Sequence, residues 1–150
     1  MGLLTVEARR EIAAAPDDVL DAIADYRTTH ARLLTGQFTD YEVREGGDGE
    51  GTVLFFRFHA TSRRVREVLA DITEPDDHTI VETDRNSTMV TTYHVVPGTA
   101  EGSSLVTLRS TWEGAGGVGG FFERLFAPRV LRATYDRVLA NLARETEKGS

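Results

Sequence analysis

The stretch GAGGVGGFFERLF, residues 114–126, decides between two folds. Gly114, Gly116 and Gly119 spell G-x-G-x-x-G between a strand-like and a helix-like segment, the signature of a dinucleotide-binding turn. That motif works only inside a βαβ unit. The helix must lead to a second, parallel strand, which brings an acid about 20 residues on to the ribose. Here Asp136 lies at the right distance but inside a helical segment, and no strand-like segment remains after it. The sequence therefore asks for no dinucleotide. Gly114, Gly116, Gly117, Gly119 and Gly120 are read instead as backbone that turns without side-chain clash. Either they form a plain turn, or they are a gating loop that carries Phe122 and Phe126 over the mouth of a cavity.

Working outward from the glycines gives the rest of the chain. Downstream, Leu131, Tyr135, Val138, Leu139 and Leu142 recur at helical spacing, which predicts one long helical segment from Phe121 to about Glu147. Pro128 starts the main part of that helix or kinks it, because a proline in a helix interior costs about 3 kcal/mol. Upstream, LLTVEARREI alternates at period two, with Leu4, Val6, Ala8 and Ile12 on one face. Arg10 falls on that apolar face. Pro16 followed by Asp17 and Asp18 opens a short helix, and RTTHARLLTG gives a second that ends at Gly36. Six strand-like segments follow: residues 38–45, 51–60, 63–73, 78–84, 87–96 and 104–113. The breaks between them (GGDGEG, EPDD, DRNS and PGTAEGS) are turn-rich and short, so neighbouring strands pair as antiparallel hairpins. The economical packing is α+β: one antiparallel sheet, curved around the last helix, with all helices on one face.

The totals narrow the class of function. A chain of 150 residues suits one domain spanning 1–150, and a net charge of −7 repels phosphate backbones, which argues against nucleic acid as a partner. There is no cysteine, which removes thiolate nucleophiles, disulfides and zinc-thiolate sites. No apolar run approaches the roughly 20 residues of a membrane span, and the N-terminal residues turn charged too early for a secretory segment. The expectation is a soluble, cytoplasmic protein, monomeric or homodimeric, without cofactor.

The run VEARREIAAAPDDVLDAIADY, residues 6–26, and the closing STWEGAGGVGGFFERLFAPRVLRATYDRVLANLARE, residues 110–145, resemble the polyketide cyclase/dehydrase and lipid-transport group of the START-like (SRPBCC) superfamily, actinobacterial type. The resemblance covers nearly the whole chain. It implies the helix-grip fold of the birch pollen allergen, a seven-stranded curved antiparallel sheet wrapped around a long C-terminal helix with two short helices after the first strand. It identifies an activity poorly, because one fold hosts many functions.

No catalytic constellation stands out among the residues. The histidines, His30, His59, His78 and His94, lack the spacing of a metal site, and no G-x-S-x-G elbow is present. In the third strand Leu54, Phe56, Phe58 and Ala60 make the cleaner apolar face, so Arg57 and His59 are expected to point outward. Tyr93, Trp112 and Tyr135 are either core residues or cavity-lining residues that orient a ligand. With Leu131, Phe122, Phe126 and the inward-parity Arg10 they are the candidate site. The leading expectation is a small hydrophobic ligand, lipid- or polyketide-like, held between sheet and helix. An aromatase/cyclase or dehydratase is the alternative, and a partner-binding protein without a small ligand is the third reading.

Overall fold

The computed structural model describes residues 3–113 and 128–147. The chain runs β1 (Leu3–Ile12), α1 (Pro16–Ala24), α2 (Thr29–Leu33), β2 (Phe38–Glu45), β3 (Val53–His59), β4 (Val65–Asp76), β5 (Thr79–Asp84), β6 (Val90–Pro97), β7 (Ser104–Glu113) and α3 (Pro128–Glu147). The glycine run, Phe122 and Phe126 lie outside the described residues.

The strands form one seven-stranded sheet in the order β1-β7-β6-β5-β4-β3-β2, with every pair antiparallel. From β2 to β7 each strand pairs with the next, as short turn-rich links require. Only β1 breaks the sequence order. It pairs with β7 along its whole length, from Leu3 opposite Glu113 to Ile12 opposite Ser104. The two short helices then carry the chain from the β1 edge to the β2 edge. The sheet is curved. Register shifts in β2 between Thr39 and Glu42 fit that bending, and Asp40 there adopts φ 55°.

The alternation read from the sequence sets the buried face. Val6, Ala8 and Ile12 of β1, Leu54, Phe56 and Phe58 of β3, Tyr93 and Val95 of β6, and Val106, Leu108 and Trp112 of β7 are all buried. They meet the buried stripe of α3, made of Leu131, Tyr135, Val138, Leu139 and Leu142. Polar side chains pin the helix in place. Asn141 Nδ2 donates to the Leu33 carbonyl at 2.9 Å, Thr134 Oγ1 to Gln37 Oε1 at 2.8 Å, and the Ala13 amide to Glu147 Oε2 at 2.9 Å.

Arg57 points outward, as expected, with Nη1 3.1 Å from Asp40 and Nη2 2.8 Å from Glu67. One strand boundary differs from the sequence reading. The turn-rich EPDD predicts a break, yet β4 runs through Pro75 to Asp76. Proline has no N–H to give the ladder, and the β4–β5 register shifts between Thr73 and Asp76 to accommodate it.

The GGDGEG turn, residues 46–51, does more than join β2 to β3. The Tyr26 amide donates to the Gly47 carbonyl at 3.0 Å, the Gly49 amide to the Ala24 carbonyl at 2.9 Å, and Arg27 Nη2 to the Gly46 carbonyl at 2.6 Å. The turn is thus sewn to the α1–α2 junction. Gly46 has φ +68°, and a Cβ there would lie 2.9 Å from Thr52 Cα, so the site takes only glycine without strain.

Leu142 is fully buried where α3 grips the sheet. Replacing it with alanine is expected to cost about 2–5 kcal/mol, read from the midpoint of urea unfolding followed by circular dichroism. A loss under about 1 kcal/mol, the scale of an ordinary surface-like change, would show that the grip does not depend on this contact.

Candidate functional site

The concave face and α3 do not close completely on each other. A cavity between them offers about 50 Å³ to the centres of water-sized molecules, several times the roughly 10–15 Å³ that one water needs. Phe38 of β2, Phe56 and Phe58 of β3, Val68 and Ala70 of β4, and Met89 give it apolar walls, and Leu131, Tyr135 and Val138 of α3 roof it. Phe38 packs edge-on against Phe56 at 5.3 Å and lies 5.0 Å from Phe58, which stiffens that wall.

The lining also carries polar side chains, Glu82, Asp84 and His30 among them. β5 presents Ile80, Glu82 and Asp84 on its buried face. Tyr26 donates its hydroxyl to Glu82 Oε2 at 2.8 Å, and His30 Nε2 stands 3.5 Å from the same oxygen. His30 stacks on Tyr26 with ring centroids 4.2 Å apart and meets Tyr93 edge-on at 5.7 Å. The Tyr26 carbonyl in turn accepts the Tyr41 hydroxyl at 2.6 Å. α2 supplies His30 because Asp25 organises its first turn. That carboxylate accepts the Thr29 amide at 3.2 Å and the Thr29 hydroxyl at 2.9 Å, and also the Thr28 hydroxyl. Hydrogen bonds from Thr28 foremost hold the Asp25 carboxyl down at about 2.

Two buried groups are displaced from their usual protonation. Burial pushes the Glu82 carboxyl up to about 7, against the opposing hydrogen bond from Tyr26. Burial also pushes the His30 imidazole down to about 4. Its Nδ1 lies 2.7 Å from the Ile23 carbonyl, which can only accept, so Nδ1 carries the proton and a neutral ring leaves Nε2 bare. A second polar chain links the sheet to α3. Thr91 Oγ1 and Ser110 Oγ are 2.6 Å apart, and Ser110 bonds the Tyr135 hydroxyl. Burial raises the Tyr135 phenol to about 12.

The residues singled out from sequence divide accordingly. Tyr93, Tyr135 and Leu131 all line the cavity. Trp112 is fully buried in the core and is not among the described lining residues. Arg10 corrects the parity argument. It shares the strand face of Val6, Ala8 and Ile12, yet it is exposed and stands outside the cavity. β1 is an edge strand, so a long side chain there reaches water past the sheet's flank and avoids the cost of desolvating its charge. The gating loop, Gly114, Gly116, Gly117, Gly119 and Gly120, and the aromatic pair Phe122 and Phe126 lie outside the described residues. The sequence reading missed Glu82 and His30. The signal for Glu82 was present: in HTIVETD two acids share the strand parity of Ile80, where a half-buried strand should be apolar.

A family model described as polyketide cyclase / dehydrase and lipid transport matches residues 4–147. No curated protein matches the sequence. Among solved structures, the KanY protein, determined by NMR, is 43% identical, with 98% of this chain and 99% of that chain covered and a TM-score of 0.87. Norcoclaurine synthase from Thalictrum flavum, solved with dopamine and hydroxybenzaldehyde, is 19% identical over 99% of this chain and 89% of its own, at a TM-score of 0.71. A START superfamily protein from Mycobacterium smegmatis is 12% identical, covering 99% and 100%, at 0.72. At those last two identities the likeness is one of fold.

The displaced pair predicts a pH signature. Glu82 keeps its proton to about pH 7 in the fold but only to about 4.3 in an unfolded chain. Its contribution to stability is therefore full below about pH 4.3 and is lost as pH rises through 7. His30 is neutral down to about pH 4 when folded, whereas an unfolded imidazole takes its proton at about 6.5. Its contribution is therefore full above about pH 6.5 and is lost as pH falls through 4. Between those limits each state holds one proton on the pair, and the two slopes cancel. Glu82→Gln removes the falling slope. Relative to the parent, the variant's stability should climb from pH 4.5 to 6.5 by up to about 1.4 kcal/mol per unit, measured by urea unfolding across that range. A difference that does not change with pH would contradict the assignment.

Proposed function

Because the chain belongs to the polyketide cyclase/dehydrase and lipid-transport family, we propose that it binds a small hydrophobic molecule, lipid- or polyketide-like, in the cavity between the concave sheet and α3. The observation that carries this reading is the unfilled space itself. Protein interiors pack as densely as organic crystals, and a void among aromatic walls forfeits contacts that a core would otherwise make. Here that void coincides with a small set of polar groups, Glu82, Tyr93 and Thr91, at its lining. Apolar walls with a few convergent polar groups are the usual composition of a ligand site. In this reading Phe56, Phe58 and Leu131 supply the apolar contact, and Tyr93 and Tyr135 orient the guest.

Ala70 is buried at the cavity wall. Ala70→Leu should fill part of the space and weaken binding of ethylbenzene at least tenfold, measured by NMR titration, with the amide spectrum showing an intact fold. Binding that is unchanged in a folded variant would place the ligand elsewhere.

A second reading, aromatase/cyclase or dehydratase, draws on one observation: a buried carboxyl near pH 7, poised to give and take protons. As a carboxylate, Glu82 would take a proton from the carbon beside a ketone, leaving the C–H electron pair in the enolate, and return a proton from solvent. Exchange of the α-protons of phenylacetone in deuterated water is the assay. This reading expects exchange faster than buffer alone that drops to the buffer rate in Glu82→Gln; no acceleration by the parent removes it.

A further inference from the structure

We infer that the cavity selects its ligand by charge: it takes a neutral or cationic aromatic molecule bearing an O–H or N–H donor, and it turns away carboxylates and phosphates. The inference rests on the ligand-binding reading above and narrows the class of ligand.

Three observations support it. First, the described lining contains two acidic side chains, Glu82 and Asp84, and no lysine or arginine. Asp84 is already engaged: its oxygens accept the Leu69 amide at 3.1 Å, the Asn86 amide at 3.0 Å and the Ser87 hydroxyl at 2.7 Å. Glu82 is not fully engaged. Its hydrogen bond from Tyr26 and its approach to His30 both fall on Oε2, so among the described residues Oε1 keeps its lone pairs. Second, burial keeps the imidazole beside it neutral and Nδ1 holds the ring proton against the Ile23 carbonyl, so Nε2 adds another acceptor rather than a cation. Third, Tyr93 is 3% exposed and lines the cavity, so its phenol offers a polar tip to a guest there.

The physical consequence is a largely apolar chamber whose polar groups are rich in lone pairs. An entering carboxylate would lose its hydration beside two acidic side chains and a bare imidazole nitrogen, with no lysine or arginine among the described lining residues to offset the loss; Arg66, on the β4 parity of Val68 and Ala70, acts on Asp84. An ammonium or hydroxyl would donate a hydrogen bond to Glu82 Oε1, the carboxyl oxygen that Tyr26 leaves free to accept. Occupancy by a cation would also draw the Glu82 carboxyl into its charged form, since a nearby opposite charge favours ionisation.

The test uses four probes on one phenethyl skeleton: ethylbenzene, 2-phenylethanol, 2-phenylethylamine and phenylacetate. Each is titrated at pH 8.0, where Glu82 has given up its proton, into the intact protein, with affinity read from chemical shifts of cavity-lining residues. The alcohol and the amine should each bind at least tenfold more tightly than phenylacetate. In Glu82→Gln, whose amide oxygen can still accept from Tyr26, the amine-to-alcohol affinity ratio should fall at least tenfold. Tyr93→Phe, which removes the hydroxyl and keeps the ring, should weaken the alcohol several-fold more than it weakens ethylbenzene. The parent protein alone decides the main point if either variant fails to fold. Ethylbenzene binding with phenylacetate at least as tight as the amine and the alcohol overturns the charge selection while sparing the ligand-binding reading. No binding by any of the four overturns both.

Discussion

The pairing of β1 with β7 is the constraint on which the rest of the molecule depends. It brings the first strand beside the last, so the sheet has its chain-order break at one edge and α3 emerges next to β1 rather than in open space. With that register in place, from Leu4 opposite Trp112 to Ile12 opposite Ser104, the inward residues of both strands form one floor under the helix. α1 and α2 have to cross from the β1 edge to the β2 edge, and the crossing lays His30 and Tyr26 over the middle of the sheet, where β5 presents Glu82. The buried polar cluster is therefore a product of topology. Its members come from the α1–α2 junction, from α2 and from a strand more than fifty positions later.

This origin explains what the sequence made legible. Period-two alternation in LLTVEARREI and helical spacing from Leu131 to Leu142 are local patterns, and the face each indicates is largely the buried one. In VLFFRFH the indicated face, Leu54, Phe56 and Phe58, is buried, and so are Val53 and Phe55 on the other, where Arg44 and Arg57 lie over the Phe55 ring. Local patterns also told Arg57's side of β3 correctly, because a central strand leaves a charged residue only one wet face. The same rule misplaced Arg10, because an edge strand offers a third way out, past its flank. Pro75 was read as a break for a sound local reason, and the β4–β5 register shift shows how the ladder tolerates it.

The cavity's chemistry was harder to read. A histidine in a five-residue helix shows no periodicity of its own, and nothing adjacent to it in sequence names Glu82 as its neighbour. The acids of HTIVETD were the better clue. An ionisable residue on the apolar parity of a central strand either reaches a partner or sits beside open space, and here both hold for Glu82. Tyr93 and Tyr135, by contrast, were legible as dual-natured residues because a phenol on a buried face announces both an apolar ring and a tip that needs company.

The stitching of residues 46–51 to the α1–α2 junction has a consequence for how such a protein can diverge. Tyr26 is held by its backbone to a surface turn and by its hydroxyl to the acid inside the cavity. A small displacement of that turn would thus re-aim a buried hydrogen bond without any change to the lining. Relatives could inherit identical cavity walls and still prefer different guests, with the difference written in a glycine-rich turn on the outside. A comparison of specificity restricted to wall residues would overlook it.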